Sequence, residues 1–159
     1  MAAAAERQEA GAGAGIAPPF AAPPFASPAV AAAFDAFPAP QRALLPALRA
    51  EVFAGAAADP RIGPLEETLK WGQPSWRPRS GAGTALRVGL PKTSPLGPAA
   101  CALYVHCQTS VIEDVRPLLP PGLHIEGTRA VHLCAAAPPP PGALRPLILR
   151  ALTYKLRGA

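Results

Sequence analysis

The segment LHIEGTRAVHLC, residues 123–134, decides the fold, because it predicts a tight β-hairpin with a single register. Apolar and polar residues alternate on both sides of Gly127, which is typical of two half-buried strands joined by a short turn. Four apolar residues belong to the buried face: Leu123, Ile125, Val131 and Leu133. They share that face only if Ile125 pairs with Val131, since a shift of one residue would turn a strand over.

The same register places His124 opposite His132 on the outer face of the hairpin. Glu126 and Cys134 follow at two-residue steps on that face. Imidazole, carboxylate and thiolate groups are ligands that bind zinc, nickel or iron in proteins. The hairpin therefore predicts either a metal site formed by these four residues or two exposed imidazoles on a solvated sheet face.

Two further segments alternate with the period of a strand. In TALRVGL, residues 84–90, the leucines and valine alternate with small or charged residues. In ACALYVHC, residues 100–107, one face carries Cys101, Leu103, Val105 and Cys107. His106 points to the other face and cannot activate the neighbouring thiol, so Cys107 is expected to be a buried, small apolar residue.

Helices are predicted before the strands. Ser27 followed by Pro28 has the pattern of a helix N-terminus, and this helix should end at about Phe37. A second helix, residues 40–57, is predicted by apolar residues at three- and four-residue spacing: Leu44, Leu45, Leu48, Val52 and Ala56. Pro46 lies inside this segment and should kink the helix or delay its start.

Two helices are predicted after the strands. Ser110 and Glu113 have the spacing of a capping box, which indicates a helix over residues 111–119. A last helix is predicted over residues 143–156, where leucine and isoleucine recur at four-residue steps. The order of helices, strands, helix, hairpin and helix indicates an α+β fold, with helices packed on an antiparallel sheet of about four to five strands.

Composition limits the number of domains. The chain has 159 residues, of which 23 are Pro and 14 are Gly, so we expect no more than one small core. Residues 1–27 are almost entirely Ala, Gly, Pro and Glu, and we expect them to form a disordered tail. Residues 28–157 then make up a single domain.

Charge and cysteine content bear on partners and compartment. The formal net charge is +5, but the basic residues are spread without a run of five or more, so nucleic-acid binding is not expected. The sequence contains no apolar stretch of about 18 residues that is free of proline and charge, so it predicts no membrane span. The three cysteines lack CxxC spacing and indicate neither a disulfide framework nor a zinc ribbon, so we expect a cytoplasmic protein.

The segment EETLKWGQPSW, residues 66–76, has the most unusual local chemistry. Trp71, Gly72, Gln73, Pro74 and Trp76 combine aromatic faces, a flexible backbone and a carboxamide, which suits the wall of a ligand pocket. The alternative is that Trp71 is a core anchor and that the charged residues of the segment form an ordinary surface pair.

Four segments carry a resemblance to a known family. ETLKWGQPSW, residues 67–76, resembles a motif of the YdhG-like domain-of-unknown-function family. ALYVHCQTS, residues 102–110, EGTRAV, residues 126–131, and ALTYKLR, residues 151–157, resemble later segments of that family in the expected order. The resemblance implies a small cytoplasmic bacterial α+β domain. One branch of the family is proposed as frataxin-like iron chaperones, although this chain has few acidic residues.

We expect a non-catalytic domain that binds a small ligand or a protein partner, with an iron or zinc chaperone as the alternative. The expected binding surface consists of polar and aromatic residues from the matching motifs: Glu67, Lys70, Trp71, Gly72, Pro74, His106, Gln108 and Arg129. An enzyme is the rival class, with His106 as the residue to test. No common nucleophile, phosphate-binding or metalloprotease motif is present, and no obligatory cofactor or oligomeric state follows from the sequence.

Overall fold

The computed structural model describes residues 21–156 and has the predicted α+β fold. Four helices lie in this part of the chain: α1 (Pro28–Asp35), α2 (Ala39–Ala58), α3 (Val111–Val115) and α4 (Arg145–Leu152). Six strands form the sheet: β1 (Leu65–Lys70), β2 (Gln73–Pro78), β3 (Leu86–Gly89), β4 (Ala100–Tyr104), β5 (His124–Glu126) and β6 (Ala130–Cys134). The sheet has slightly more strands than expected, because the alternation that predicts strands is interrupted by prolines and charges in β1 and β2.

The six strands form one antiparallel sheet in the order β1-β2-β3-β4-β6-β5. The β5–β6 hairpin has the predicted register, with His124 opposite His132 and Ile125 opposite Val131. β6 also pairs with β4, so that Leu103 lies opposite Val131. The pairing of β6 with β4 therefore joins the β5–β6 hairpin to the rest of the sheet.

The helices cover one face of the sheet, which we call the core face. Trp76, Leu86 and Leu103 point to this face from adjacent strands and are completely buried. Apolar residues from the helices complete the same cluster: Val30, Phe34, Leu45, Leu48, Val52, Val111, Ile112, Leu147, Ile148 and Leu152. Burial of this apolar surface is the main favourable term in folding.

The two N-terminal helices are close to those predicted. Ser27 caps α1, and its hydroxyl oxygen accepts a hydrogen bond from the backbone N–H of Val30 at 3.2 Å. α2 continues through Pro46 as one helix, so the proline does not delay its start. Burial of the apolar stripe on both sides of the proline offsets the lost backbone hydrogen bond.

Three local expectations are corrected by the structure. The capping box at Ser110 is absent, because the Ser110 hydroxyl donates to the Asp114 carboxylate instead of accepting from the backbone. α3 ends at Val115 and continues only as a 3-10 turn. Cys107 is exposed rather than buried, since β4 ends at Tyr104 and the chain turns before the thiol.

The segment predicted to be a tail lies partly outside the described residues, which begin at residue 21. Residues 23–26 contact the domain. Arg49 donates to the carbonyl oxygens of Pro23 and Pro24 at 2.6 and 3.2 Å, and its guanidinium lies 4.4 Å from the centre of the Phe25 ring. Ordered packing therefore begins before Ser27, because these carbonyls satisfy a buried cation.

The sheet face opposite the helices is largely polar, and we call it the open face. Glu66, Ser75 and Arg87 point to it from the first three strands. The β3–β4 loop, residues 90–99, follows β3 and reaches part of this face at Ser94. Among the described residues, none of the helices has the length and apolar character needed to cross a membrane.

Candidate ligand-binding cleft

A cleft of about 530 Å³ lies on the open face. Strands supply one group of its lining residues: Gln73, Arg87, Tyr104, His124, Glu126 and His132. The remaining lining residues come from the β3–β4 loop and the β5–β6 turn: Leu90, Lys92, Thr93, Pro95 and Arg129. A cavity of this size suits a small molecule, and its lining is mainly polar or charged.

Small residues on the central strands contribute to the depth of the cleft. On the open face Gly89 lies opposite Ala102, and Ala130 lies opposite Tyr104. The side chain of Gln73 lies over Gly89 so closely that a Cβ atom there would be 2.2 Å from its amide nitrogen. Any larger residue at position 89 would therefore force the Gln73 side chain to shift.

Tyr104 contacts two arginines. The guanidinium carbons of Arg87 and Arg129 lie 5.2 and 5.4 Å from the centre of the Tyr104 ring, which is cation–π distance. Burial raises the pKa of the Tyr104 hydroxyl, and the Glu126 carboxylate raises it further against the opposing effect of the arginines. The tyrosine is therefore a neutral platform that holds two positive charges near each other.

Arg87 is a partly buried cation. It donates a hydrogen bond to the side-chain oxygen of Gln73, which is neutral, and it forms no ion pair with any described carboxylate. Burial lowers the pKa of Arg87; the nearby Tyr104 opposes this change, and the charge of Arg129 adds to it. The guanidinium nonetheless stays protonated, because the ordinary pKa of arginine lies far above neutral pH. A charge in this environment is poorly compensated by the protein.

His132 is buried between two hydrogen-bond partners. Its Nδ1 lies 2.8 Å from the Ser94 hydroxyl and its Nε2 lies 2.8 Å from the Glu126 carboxylate. Since an ionised carboxylate only accepts hydrogen bonds, Nε2 carries the proton, and Nδ1 accepts from Ser94 when the ring is neutral. The chain of three residues fixes Glu126 and joins the β3–β4 loop to β6.

The alternative prediction for the hairpin, two exposed imidazoles on a solvated sheet face, is wrong for His132. The rings of His124 and His132 are 5.0 Å apart between centres, but His132 is only 2 % exposed. The β3–β4 loop accounts for this difference, because Ser94 covers the ring. Cys134 is partly buried and does not line the cleft. Within residues 21–156 no group of three or more His, Cys, Asp or Glu side chains is arranged to hold a metal ion.

The expected ligand surface is divided between the two faces of the sheet. Glu67 is on the core face, where it accepts hydrogen bonds from Arg49 at 2.7 Å and from the Trp76 indole at 2.8 Å. Burial alone would raise the pKa of Glu67, but these hydrogen bonds, one from the backbone N–H of Ala26 and the Arg49 charge hold it below its ordinary value. Glu67 therefore stabilises the fold and does not share a surface with Arg129.

The other residues of the expected surface do not line the cleft. Pro74 is buried, whereas Lys70, Trp71 and Gly72 are exposed at the β1–β2 turn. His106 and Gln108 are exposed in the turn after β4, where the backbone N–H of Gln108 donates to the His106 ring. Arg129 is the one member of that predicted set that lines the cleft.

Sequence reasoning missed several cleft residues, chiefly Arg87, Tyr104 and Lys92. The alternation in β3 and β4 puts Arg87 and Tyr104 on the same side, but only the pairing of these strands places them opposite each other. Lys92 belongs to an irregular loop, for which periodicity carries no signal.

Comparison with known proteins gives no match. No family model matches the chain, and neither a curated protein nor a solved structure is significantly similar to it. The resemblance to the YdhG-like family therefore stays a prediction.

Proposed function

We propose that the protein is a non-catalytic binding domain and that a small-molecule ligand occupies the cleft on the open face. The observation that carries the proposal is the convergence of polar side chains from five strands, the β3–β4 loop and the β5–β6 turn on a single concavity. Several of these groups are already held in place by contacts within the protein, as with Tyr104 and His132. Binding to such a site loses little free energy in ordering side chains.

The proposal includes a cytoplasmic location. Cys101, Cys107 and Cys134 are all free thiols in the structure, which is consistent with a reducing compartment. The YdhG-like resemblance implies the same compartment.

A blocking substitution tests the cleft. Thr93 has an exposed side chain at the cleft wall, so Thr93→Trp should obstruct the site without disturbing the core. Leu118→Trp is a matched control, because Leu118 is also exposed and lies in the 3-10 turn after α3. Compounds from a metabolite panel that raise the melting temperature of the parent should lose their effect in Thr93→Trp and keep it in Leu118→Trp. Equal effects in both variants would refute the cleft as the site.

A metal chaperone is the alternative function. The adjacency of His124 and His132 favours it, and Glu126 would be the third ligand. Metal binding there must displace the hydrogen bond between His132 and Glu126. Calorimetric titration with zinc and ferrous iron, on the parent and on His124→Ala, tests this function. Binding tighter than about 100 μM that His124→Ala abolishes would support it, and weaker binding would reject it.

An enzyme is the rival class. Ser94, His132 and Glu126 are hydrogen-bonded in the order nucleophile, base and acid. However, the Ser94 hydroxyl also accepts a hydrogen bond from the backbone N–H of Leu96, and His132 is buried. A serine-directed fluorophosphonate probe distinguishes the two classes. Labelling of Ser94 would favour a hydrolase, and an unlabelled Ser94 is expected of a binding domain.

A further inference from the structure

We infer that the ligand of the cleft carries an oxyanion, a carboxylate or a phosphate, which Arg87 and Arg129 bind together. This inference rests on the proposed function and adds the chemical class of the ligand. Arg87 and Arg129 both line the cleft and both lie at cation–π distance from the same ring, that of Tyr104. A guanidinium presents its N–H groups in a planar fork that matches the oxygens of a carboxylate or phosphate.

The charges of the cleft favour an anion. Three cationic side chains line it, Arg87, Lys92 and Arg129, against a single carboxylate, Glu126. That carboxylate is already engaged, because it accepts from His132 at 2.8 Å and lies 3.4 Å from Arg129. It therefore neutralises Arg129 in part and leaves Arg87 without a negative partner among the described residues.

The cost of this arrangement without a ligand supports the inference. Arg87 is partly withdrawn from water, and its neutral partner Gln73 supplies a hydrogen bond but no charge. Arg129 lies close enough for its positive charge to disfavour that of Arg87. An oxyanion between the two guanidinium groups would relieve both the desolvation and the repulsion. Lys92 and Thr93 at the cleft wall supply further donors for it.

The test compares binding of charged and uncharged probes to the full chain. Inorganic phosphate and citrate represent the two oxyanion classes, and glucose is the uncharged probe. We expect at least one of the oxyanions, but not glucose, to bind in calorimetric titration at low ionic strength. The oxyanion that binds more tightly identifies the class of the natural ligand.

Substitutions locate the binding site. Arg87→Gln should weaken oxyanion binding at least about tenfold, since it removes a charge-assisted hydrogen-bond donor. Arg77→Gln is the matched control, because Arg77 lies on the same sheet face but is exposed and paired with Glu66. The Arg77→Gln variant should bind the oxyanion with the same affinity as the parent. Arg129→Gln provides a second variant at an exposed position, in case Arg87→Gln does not fold.

The outcomes separate the inference from the proposed function. If uncharged compounds bind in the cleft and the arginine substitutions leave their affinity unchanged, the inference is wrong and the proposed function stands. If Arg77→Gln weakens oxyanion binding as much as Arg87→Gln does, the anions respond only to overall charge and the inference is wrong. If no compound of either class loses binding in Thr93→Trp, the proposed function is wrong as well.

Discussion

At the scale of single residues, Glu67 shows how one buried carboxylate holds several elements together. It accepts hydrogen bonds from Arg49 of α2, Trp76 of β2 and the backbone N–H of Ala26 before α1. The side chains of Arg49 and Glu67 are only 6 % and 3 % exposed, so the pair is shielded from water. Removing one member of such a pair leaves the other as an unpaired buried charge.

Glu67→Gln should therefore lower the free energy of unfolding by about 3 kcal/mol. The change keeps the shape of the side chain but leaves Arg49 without its anion. Urea denaturation provides the measurement. The control is Glu66→Gln, whose partner Arg77 is exposed, and its cost should not exceed about 1 kcal/mol. Equal losses in the two variants would contradict a special role for Glu67.

The same carboxylate predicts a dependence of stability on pH. The pKa of Glu67 is lowered in the folded state, so the folded protein binds fewer protons there than the unfolded chain. Its contribution is complete above the unfolded value of about 4.3 and is lost as the pH falls through the lower folded pKa. Unfolding curves between about pH 6 and pH 3 should show a steeper loss in the parent than in Glu67→Gln. Parallel losses would contradict this assignment.

Trp71 illustrates strain at a single residue. Its φ is 55°, it is 91 % exposed, and Gly72 follows with φ 75°. Two-residue hairpin turns of this kind favour Asn-Gly, because asparagine tolerates positive φ better than a bulky side chain does. Because the Trp71 side chain is exposed, the alternative prediction that it is a core anchor is wrong.

Trp71→Asn should raise the free energy of unfolding by about 1 kcal/mol. Thermal unfolding measures the change. Trp71→Val is the contrasting variant, because a β-branched residue adopts positive φ least readily, and it should not stabilise the protein. A loss of stability in Trp71→Asn would show that the exposed indole makes stabilising contacts in solution.

At the scale of elements, alternation predicts the β5–β6 hairpin well. Its register is correct because Ile125 and Val131 can be buried together in only one way. Alternation does not predict that the β3–β4 loop covers His132, since loops have no period. It also overextends β4 to Cys107, because the turn closed by the backbone hydrogen bond from Thr109 to His106 ends the strand earlier.

The segment before α1 gives a prediction at the same scale. A chain that starts at Pro28 should be less stable than a chain that starts at Ala21 by about 3 kcal/mol. The shorter chain loses the Pro23 and Pro24 carbonyls that accept from Arg49, and the contact of Phe25 with Phe34, whose ring centres are 4.9 Å apart. Denaturant unfolding of the two truncated chains measures the difference. Equal stabilities would mean that this segment does not pack in solution.

At the scale of the whole molecule, the two faces of the sheet have different roles. The core face is closed by helices, and its buried residues follow from the apolar pattern of the sequence. The cleft on the open face depends on the strand order β3-β4-β6-β5, which brings Arg87 near residues about 40 positions later in the chain. Pairing between distant strands cannot be read from local periodicity, so the sequence pattern predicts the fold class but not the site.

Amide chemical-shift mapping of the full chain with citrate and with phosphate tests the central claim, that the open face carries an oxyanion-binding cleft. The cleft predicts saturable shifts at Arg87, Tyr104, Glu126 and His132, and none at core-face positions such as Glu67. Arg87→Gln should reduce those shifts, and Arg77→Gln should leave them unchanged. Shifts confined to other surfaces, or the absence of saturable shifts with both anions, would contradict the claim.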